Sequence, residues 1–115
     1  MDRLNCYRQI VKDLITRYAR LKPAYGDIEI KVLFDEMHDQ YQLLYVGWDG
    51  YQRIHNVILH LELRGDGDEC KVWIQYDGIE DGVAAELVAA GIPRDHIVLG
   101  FQPENVRPYT EYAVA

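Results

Sequence analysis

Residues 57–76 read VILHLELRGDGDECKVWIQY, and this stretch leaves the chain little freedom. In its first half Val57, Leu59, Leu61 and Leu63 fall on one face of an extended segment. Asn56, His60, Glu62 and Arg64 fall on the other, where Ile58 is the one apolar residue. In its second half Cys70, Val72, Ile74 and Tyr76 alternate with Lys71, Trp73, Gln75 and Asp77. Strand side chains point to opposite faces with a period of two, so each half has one face for a core and one for water. Gly65-Asp66-Gly67-Asp68 between them accepts the positive φ that a tight turn needs.

The segments before this ribbon extend it. Leu4, Tyr7, Val11, Leu14, Tyr18 and Leu21 recur at steps of three and four, widened by Ile10 and Ile15, and predict an amphipathic helix from Leu4 to Arg20 that stops before Pro23. Its apolar stripe is a core face. Lys22 to Asp27 reads as a linker. Ile28, Ile30, Val32 and Phe34 then alternate with Glu29, Lys31 and Asp35 as a first strand, and residues 35–39 make a turn. From Gln40 to Trp48 both faces are apolar, which suits a central strand or a face that meets another subunit. Asp49-Gly50 signals a hairpin of the kind that favours a type I′ turn. The third strand runs from Tyr51 to Arg64 with a bend near His55, and the fourth from Glu69 to Tyr76.

After Asp77-Gly78 the period changes. Val83, Leu87 and Val88 predict a short helix from Glu80 to Ala90, with Glu80 and Asp81 in its first turn, Gly91 as its left-handed cap and Pro93 as its stop. Ile97-Val98-Leu99 is a short strand or a segment tucked beneath that helix. The tail from Phe101 to Ala115 is aromatic enough to dock on the domain or on a neighbour. The fold class is therefore α+β: a single domain over residues 1–115, with a four-stranded antiparallel meander and a short C-terminal strand packed against two helices.

Composition narrows the function. At 115 residues the chain makes one core without metal or disulfide staples. No apolar run approaches the roughly 18 residues of a membrane span, and the opening MDRLNCYRQI has no apolar signal core. Cys6 and Cys70 read as free core thiols, so the expected setting is a reducing cytoplasm. Nineteen acids against twelve Lys and Arg give a net charge of −7. Phosphate neutralisation by Lys and Arg supplies most nucleic-acid affinity, so autonomous DNA or RNA binding is not expected. Only Arg3, Arg8, Lys12, Arg17, Arg20 and Lys22 offer a basic patch, interspersed with Asp2 and Asp13 as on a solvated helix face.

The chain has no serine, which removes a Ser/His/Asp nucleophile. Cys6 has no histidine nearby in sequence, and Cys70 falls on a buried face. His55 and His60, five apart, lie on opposite faces of a regular strand, and no metal-binding His/Cys spacing occurs. Residues 66–69 lack the ligand pattern of a calcium loop, and no phosphate-binding glycine loop is present. Glu69-Cys70-Lys71 with Asp49 upstream fits the magnesium-nuclease pattern of an acid followed by E-x-K. Cross-strand charge pairing explains it equally well. No cofactor is expected.

Six stretches of the chain stand out together: Tyr7-Arg8-Gln9-Ile10, residues 22–27, Tyr41-Gln42-Leu43-Leu44 with Val46-Gly47-Trp48, Lys71-Val72-Trp73-Ile74-Gln75 with Asp77-Gly78, Ile92-Pro93 through Phe101, and Arg107 through Val114. In that order they resemble the XisI family of fdxN element excision controlling factors. Ile79, where the family favours Thr, and a longer turn at residues 65–69 depart from its pattern. The resemblance implies an α+β fold with an antiparallel sheet and a role in controlling site-specific excision of a DNA element. The partners it implies are a protein called XisH, itself like a nuclease fold, and a separate recombinase. It carries no catalytic residue onto this chain.

The expectation is thus a non-enzymatic factor acting through a partner protein. A DNA-binding accessory protein is the alternative, and a magnesium nuclease built on Asp49, Glu69 and Lys71 the more distant one. Nine tyrosines and two tryptophans suit a protein interface. Phe101, Arg107, Tyr109 and Tyr112 are the candidate contacts, against the simpler reading of a tail packed on its own core. The two apolar faces of the second strand suit a homo-oligomer.

Overall fold

A computed structural model describes residues 2–21, 23 and 26–115. The expected linker therefore lies partly outside the described residues. Helix α1 spans Arg3–Ala19, and Asp2 caps it by accepting from the Asn5 amide at 2.9 Å. Strands β1 (Asp27–Asp35), β2 (Gln40–Asp49), β3 (Gln52–Arg64) and β4 (Lys71–Asp77) form the antiparallel meander in chain order. Helix α2 (Ala84–Ala89) crosses back, and β5 (Ile97–Leu99) joins β4 in parallel, so the sheet has five strands. Tyr7, Val11, Leu14 and Ile15 of α1 pack on one sheet face, against Tyr41, Leu43, Leu59, Leu61, Val72 and Ile74.

The hairpin between β2 and β3 is shifted by one residue from its sequence signal. Asp49 pairs with Gln52, so Gly50 and Tyr51 are the central pair. Gly50 has φ +61 and Tyr51 is not in the left-handed region, the pattern of a type II′ rather than a type I′ turn.

Two register shifts break the expected period. Leu43 pairs with Leu59 but Leu44 with Val57, which leaves Ile58 unopposed. His60 pairs with Tyr76 but Leu61 with Ile74, which leaves Gln75 unopposed. Each extra residue inverts the faces beyond it. Val57 and Tyr76, expected in the core, are therefore exposed, while Ile58 packs against it. The irregularity sits at Ile58, three residues beyond the bend expected near His55. Among the strands of the meander β1 is the least covered: it forms the sheet edge, and Val32, Leu33 and Phe34 stay exposed.

Helix α2 begins at Ala84, four residues later than expected. The Asp77 carboxylate accepts from the Ile79 and Val83 amides at 3.1 and 2.8 Å, which holds residues 78–83 in turns. Glu80 and Asp81 therefore precede the helix. Its end is as expected: Gly91 has φ +114, and the Ile92 and Gly91 amides donate to Leu87 and Val88 carbonyls in a Schellman arrangement. Cys70 is buried, but Cys6 is exposed rather than in the core.

At one end of α1, Tyr7 Oη lies 2.6 Å from His96 Nδ1. Burial holds His96 below the ordinary imidazole range, helped by Arg3 and Lys71 and opposed by Asp95. Burial also lowers His60, against the pull of Glu62. Neutral rings are thus favoured in the folded state. Their contribution is complete above the unfolded imidazole pKa of about 6.5 and is lost as pH falls through the lowered folded values. The urea midpoint should accordingly drop between pH 7.5 and pH 5.5, and replacing both rings by glutamine should flatten that drop. A double variant with an unchanged slope would place the acid sensitivity elsewhere.

Candidate protein-binding surface

The tail is fixed by a buried arginine. Arg107, in a single 3-10 turn at Arg107–Tyr109, is only 8% exposed. Its Nε donates to the Gln102 carbonyl at 3.1 Å and its Nη1 to the Val114 carbonyl at 3.3 Å. Its guanidinium stands 5.1 Å from the Trp73 ring centre, and Arg64 stands 4.2 Å from the same ring. Such cation–aromatic stacking gains strength once water is excluded. The Ala113 amide donates to Ile97 at 2.8 Å, and Ala113 bridges Val98, so the tail closes the β5 edge of the sheet. Tyr112 packs partly buried against the core.

Of the four expected contacts, Arg107 and Tyr112 thus hold the tail, whereas Phe101 and Tyr109 face solvent. Tyr109 is 90% exposed and Phe101 46%, with Val106 also open. These apolar groups sit on backbone tied at Gln102, Arg107, Ala113 and Val114. A rigid scaffold presenting large rings loses little freedom when they are covered.

The sheet face opposite the helices carries a carboxylate held from three sides. Glu62 accepts from Gln75 at 2.7 Å, Gln40 at 2.7 Å and Arg64 at 3.0 Å, and His60 Nε2 lies 2.7 Å from Gln40 Oε1. Burial pushes this carboxyl upward, but those hydrogen bonds outweigh it and the net shift is downward. All of its partners are internal, so the network stitches β2, β3 and β4 together and leads into the Trp73 stack. Nearer β1 that face bears Leu44, Val46, Trp48 and Val57. Trp48 and Val57 are exposed there.

The other sequence candidates do not converge. Asp49 flanks the start of β3, while Glu69 and Lys71 follow its end. The 13 residues of β3 hold them roughly 40 Å apart at about 3.3 Å per residue. Lys71 instead reaches the Ala115 carbonyl at 2.6 Å. The bulge at Ile58 brings His55 and His60 onto one face, contrary to the regular-strand expectation. Even so, among the described residues no three His, Cys, Asp or Glu side chains come together in a metal-holding group. Three residues of the N-terminal basic row are occupied: Arg3 donates to the Asp68 carbonyl, Arg8 pairs with Asp39 and Lys12 with Glu36. No helix among the described residues is long and apolar enough to cross a membrane.

Comparison with known proteins agrees with this architecture. A family model described as XisI protein matches residues 1–114. A crystal structure of a XisI-like protein from Anabaena variabilis ATCC 29413 superposes with a TM-score of 0.89 at 36% identity, covering 98% of this chain and 100% of that one. The structure of fdxN element excision controlling factor XisI from the same organism gives a TM-score of 0.81 at 34% identity, over 97% and 98% of the two chains. No curated protein matches the sequence.

Proposed function

The chain belongs to the XisI family, and on that premise we propose that it is a non-catalytic factor controlling site-specific excision of a DNA element by binding another protein. The partner is a XisH-like protein or the recombinase complex. The observation that carries this reading is the tail: Phe101 and Tyr109 stand in solvent on a segment that Arg107 anchors from beneath. Aromatic side chains on rigid backbone are the usual anchors of protein interfaces. The similar Anabaena protein is called a controlling factor, which supports regulation rather than chemistry. The surface is acidic overall, and three of the basic residues of α1 already have protein partners, which favours a protein target over DNA.

Co-expression with a XisH-like protein, followed by size-exclusion chromatography, tests the reading. A complex should form, and Tyr109→Ala with Phe101→Ala should weaken it by at least about tenfold, the range of interface anchors. Separate elution of the two proteins at about 50 µM would refute direct binding.

A further inference from the structure

The sheet has two edges, and the chain treats them differently. The tail covers β5 through the Ala113–Ile97 hydrogen bond and the Val98–Ala113 bridge. The β1 edge is open: among the described residues no backbone hydrogen bond reaches residues 27–35 from outside the sheet. Natural edges are usually blunted by proline, a bulge, shortness or charged side chains, and of these β1 carries only charges, Glu29 and Lys31 paired with each other and an Asp at each end. Strand β1 has nine residues, no proline, and pairs with β2 without a register shift, while both pairings of β3 are bulged. It presents Val32 (36% exposed), Leu33 (52%) and Phe34 (38%) in succession.

We propose that β1 is where a second copy of this chain docks, the two β1 strands pairing antiparallel about a two-fold axis at Leu33. The backbone groups are set for it. The residues flanking a two-residue hairpin exchange both hydrogen bonds, as Asp49 and Gln52 are placed to do. Alternation along β2 then aims Trp48, Val46, Leu44 and Gln42 at β1, which turns the N–H and C=O groups of Ile28, Ile30, Val32 and Phe34 outward. With the axis at Leu33, Val32 of one copy exchanges hydrogen bonds with Phe34 of the other.

The side chains select that register. Leu33 meets Leu33, Val32 meets Phe34, and Lys31 meets Asp35 across the seam, so exposed apolar groups cover one another and opposite charges face. An axis at Lys31 sets two lysines together and Asp27 against Asp35. An axis at Val32 sets Glu29 against Asp35 and Lys31 against Leu33. An axis at Ile30 pairs Glu29 with Lys31 but leaves Phe34 beyond the overlap and Leu33 against Asp27.

Sedimentation velocity tests this with the whole chain. A dimer should form at about 100 µM, and Leu33→Lys should raise its dissociation constant by at least about tenfold with an unchanged urea midpoint. The register is read separately in a Cys6→Ser background. Leu33 pairs with itself without backbone hydrogen bonds, which brings the Cα atoms to about 4.5 Å, within disulfide range. Leu33→Cys should therefore give a disulfide-linked dimer under mild oxidation, and Glu29→Cys should not. A monomer at 100 µM, a Leu33→Lys variant that dimerises as well as the parent, or equal cross-linking of the two cysteine variants would overturn the proposal. Tyr109 and Phe101 take no part, so such a result leaves the tail reading standing.

Discussion

Replacing Asp39 by alanine is expected to lower stability by about 3–5 kcal/mol, a large share of the roughly 5–15 kcal/mol that holds an ordinary domain. Asp39 closes the β1–β2 turn with φ +52, a left-handed backbone that aspartate tolerates better than alanine. Its carboxylate receives Arg8 from α1 in a two-pronged contact, Nε at 2.7 Å and Nη2 at 3.1 Å. The same carboxylate accepts the Tyr41 hydroxyl at 2.9 Å, and its backbone carbonyl accepts from the Leu63 amide at 3.0 Å. One residue thus ties the helix, two strands and a fully buried phenol. The hydrogen bond that Arg8 donates to Asp39 holds the guanidinium firmly protonated, and burial, then that same carboxylate, push the Tyr41 phenol far above its usual range.

Alanine at this site leaves a buried hydroxyl with no acceptor, at about 1–3 kcal/mol, and loses hydrogen bonds to a charged group at about 1.5–3 kcal/mol. The urea midpoint should fall by on the order of 2 M. Asparagine keeps the backbone preference and an acceptor for Tyr41, so Asp39→Asn should lose about half as much. In a Tyr41→Phe background the alanine cost should shrink, because the stranded hydroxyl is gone. A midpoint shift below about 0.3 M for Asp39→Ala would mean that turn, helix and Tyr41 are held independently.

Local chemistry announced the elements whose causes are local. The stripe from Leu4 to Leu21 fixed α1 to within a residue or two, and the Gly91 cap fixed the end of α2. The interruptions in period were harder to read. Ile58 stood out as the one apolar residue on the polar face of its strand, and it is the bulged residue. Nothing marked Gln75, because a polar residue on the outer face fits with or without a bulge. The late start of α2 depends on a side chain, Asp77, reaching six residues ahead.

The parallel docking of β5 and the closing of its edge by the tail depend on contacts remote in sequence. The same applies to the candidate surface. Aromatic content drew attention to Phe101, Arg107, Tyr109 and Tyr112, but which of them anchor and which face solvent depends on Trp73. That residue lies on β4, and both Arg64 and Arg107 stack on its ring.

Arg107→Ala is the second large effect expected, about 2–4 kcal/mol, and it should act on the tail before it acts on the core. The change removes donors to the Gln102 and Val114 carbonyls, each charge-assisted, together with one half of the Trp73 stack. The side chain is 8% exposed, so its stem also leaves a void. Lysine keeps the charge but lacks the fork that reaches two carbonyls while lying flat on a ring, so Arg107→Lys should recover less than half of the loss. With its anchor gone the tail should detach from β5, and the Ala113 amide should exchange its hydrogen much faster than the amides of β3. Binding of the partner protein should fall together with tail protection, although Arg107 itself is covered and Tyr109 and Phe101 are unchanged. That linkage separates an anchor from a contact. Rapid Ala113 exchange with undiminished partner affinity would show that the ordered tail is not the surface the partner reads, and protected Ala113 in Arg107→Ala would show that the bridge to Val98 holds the tail without the arginine.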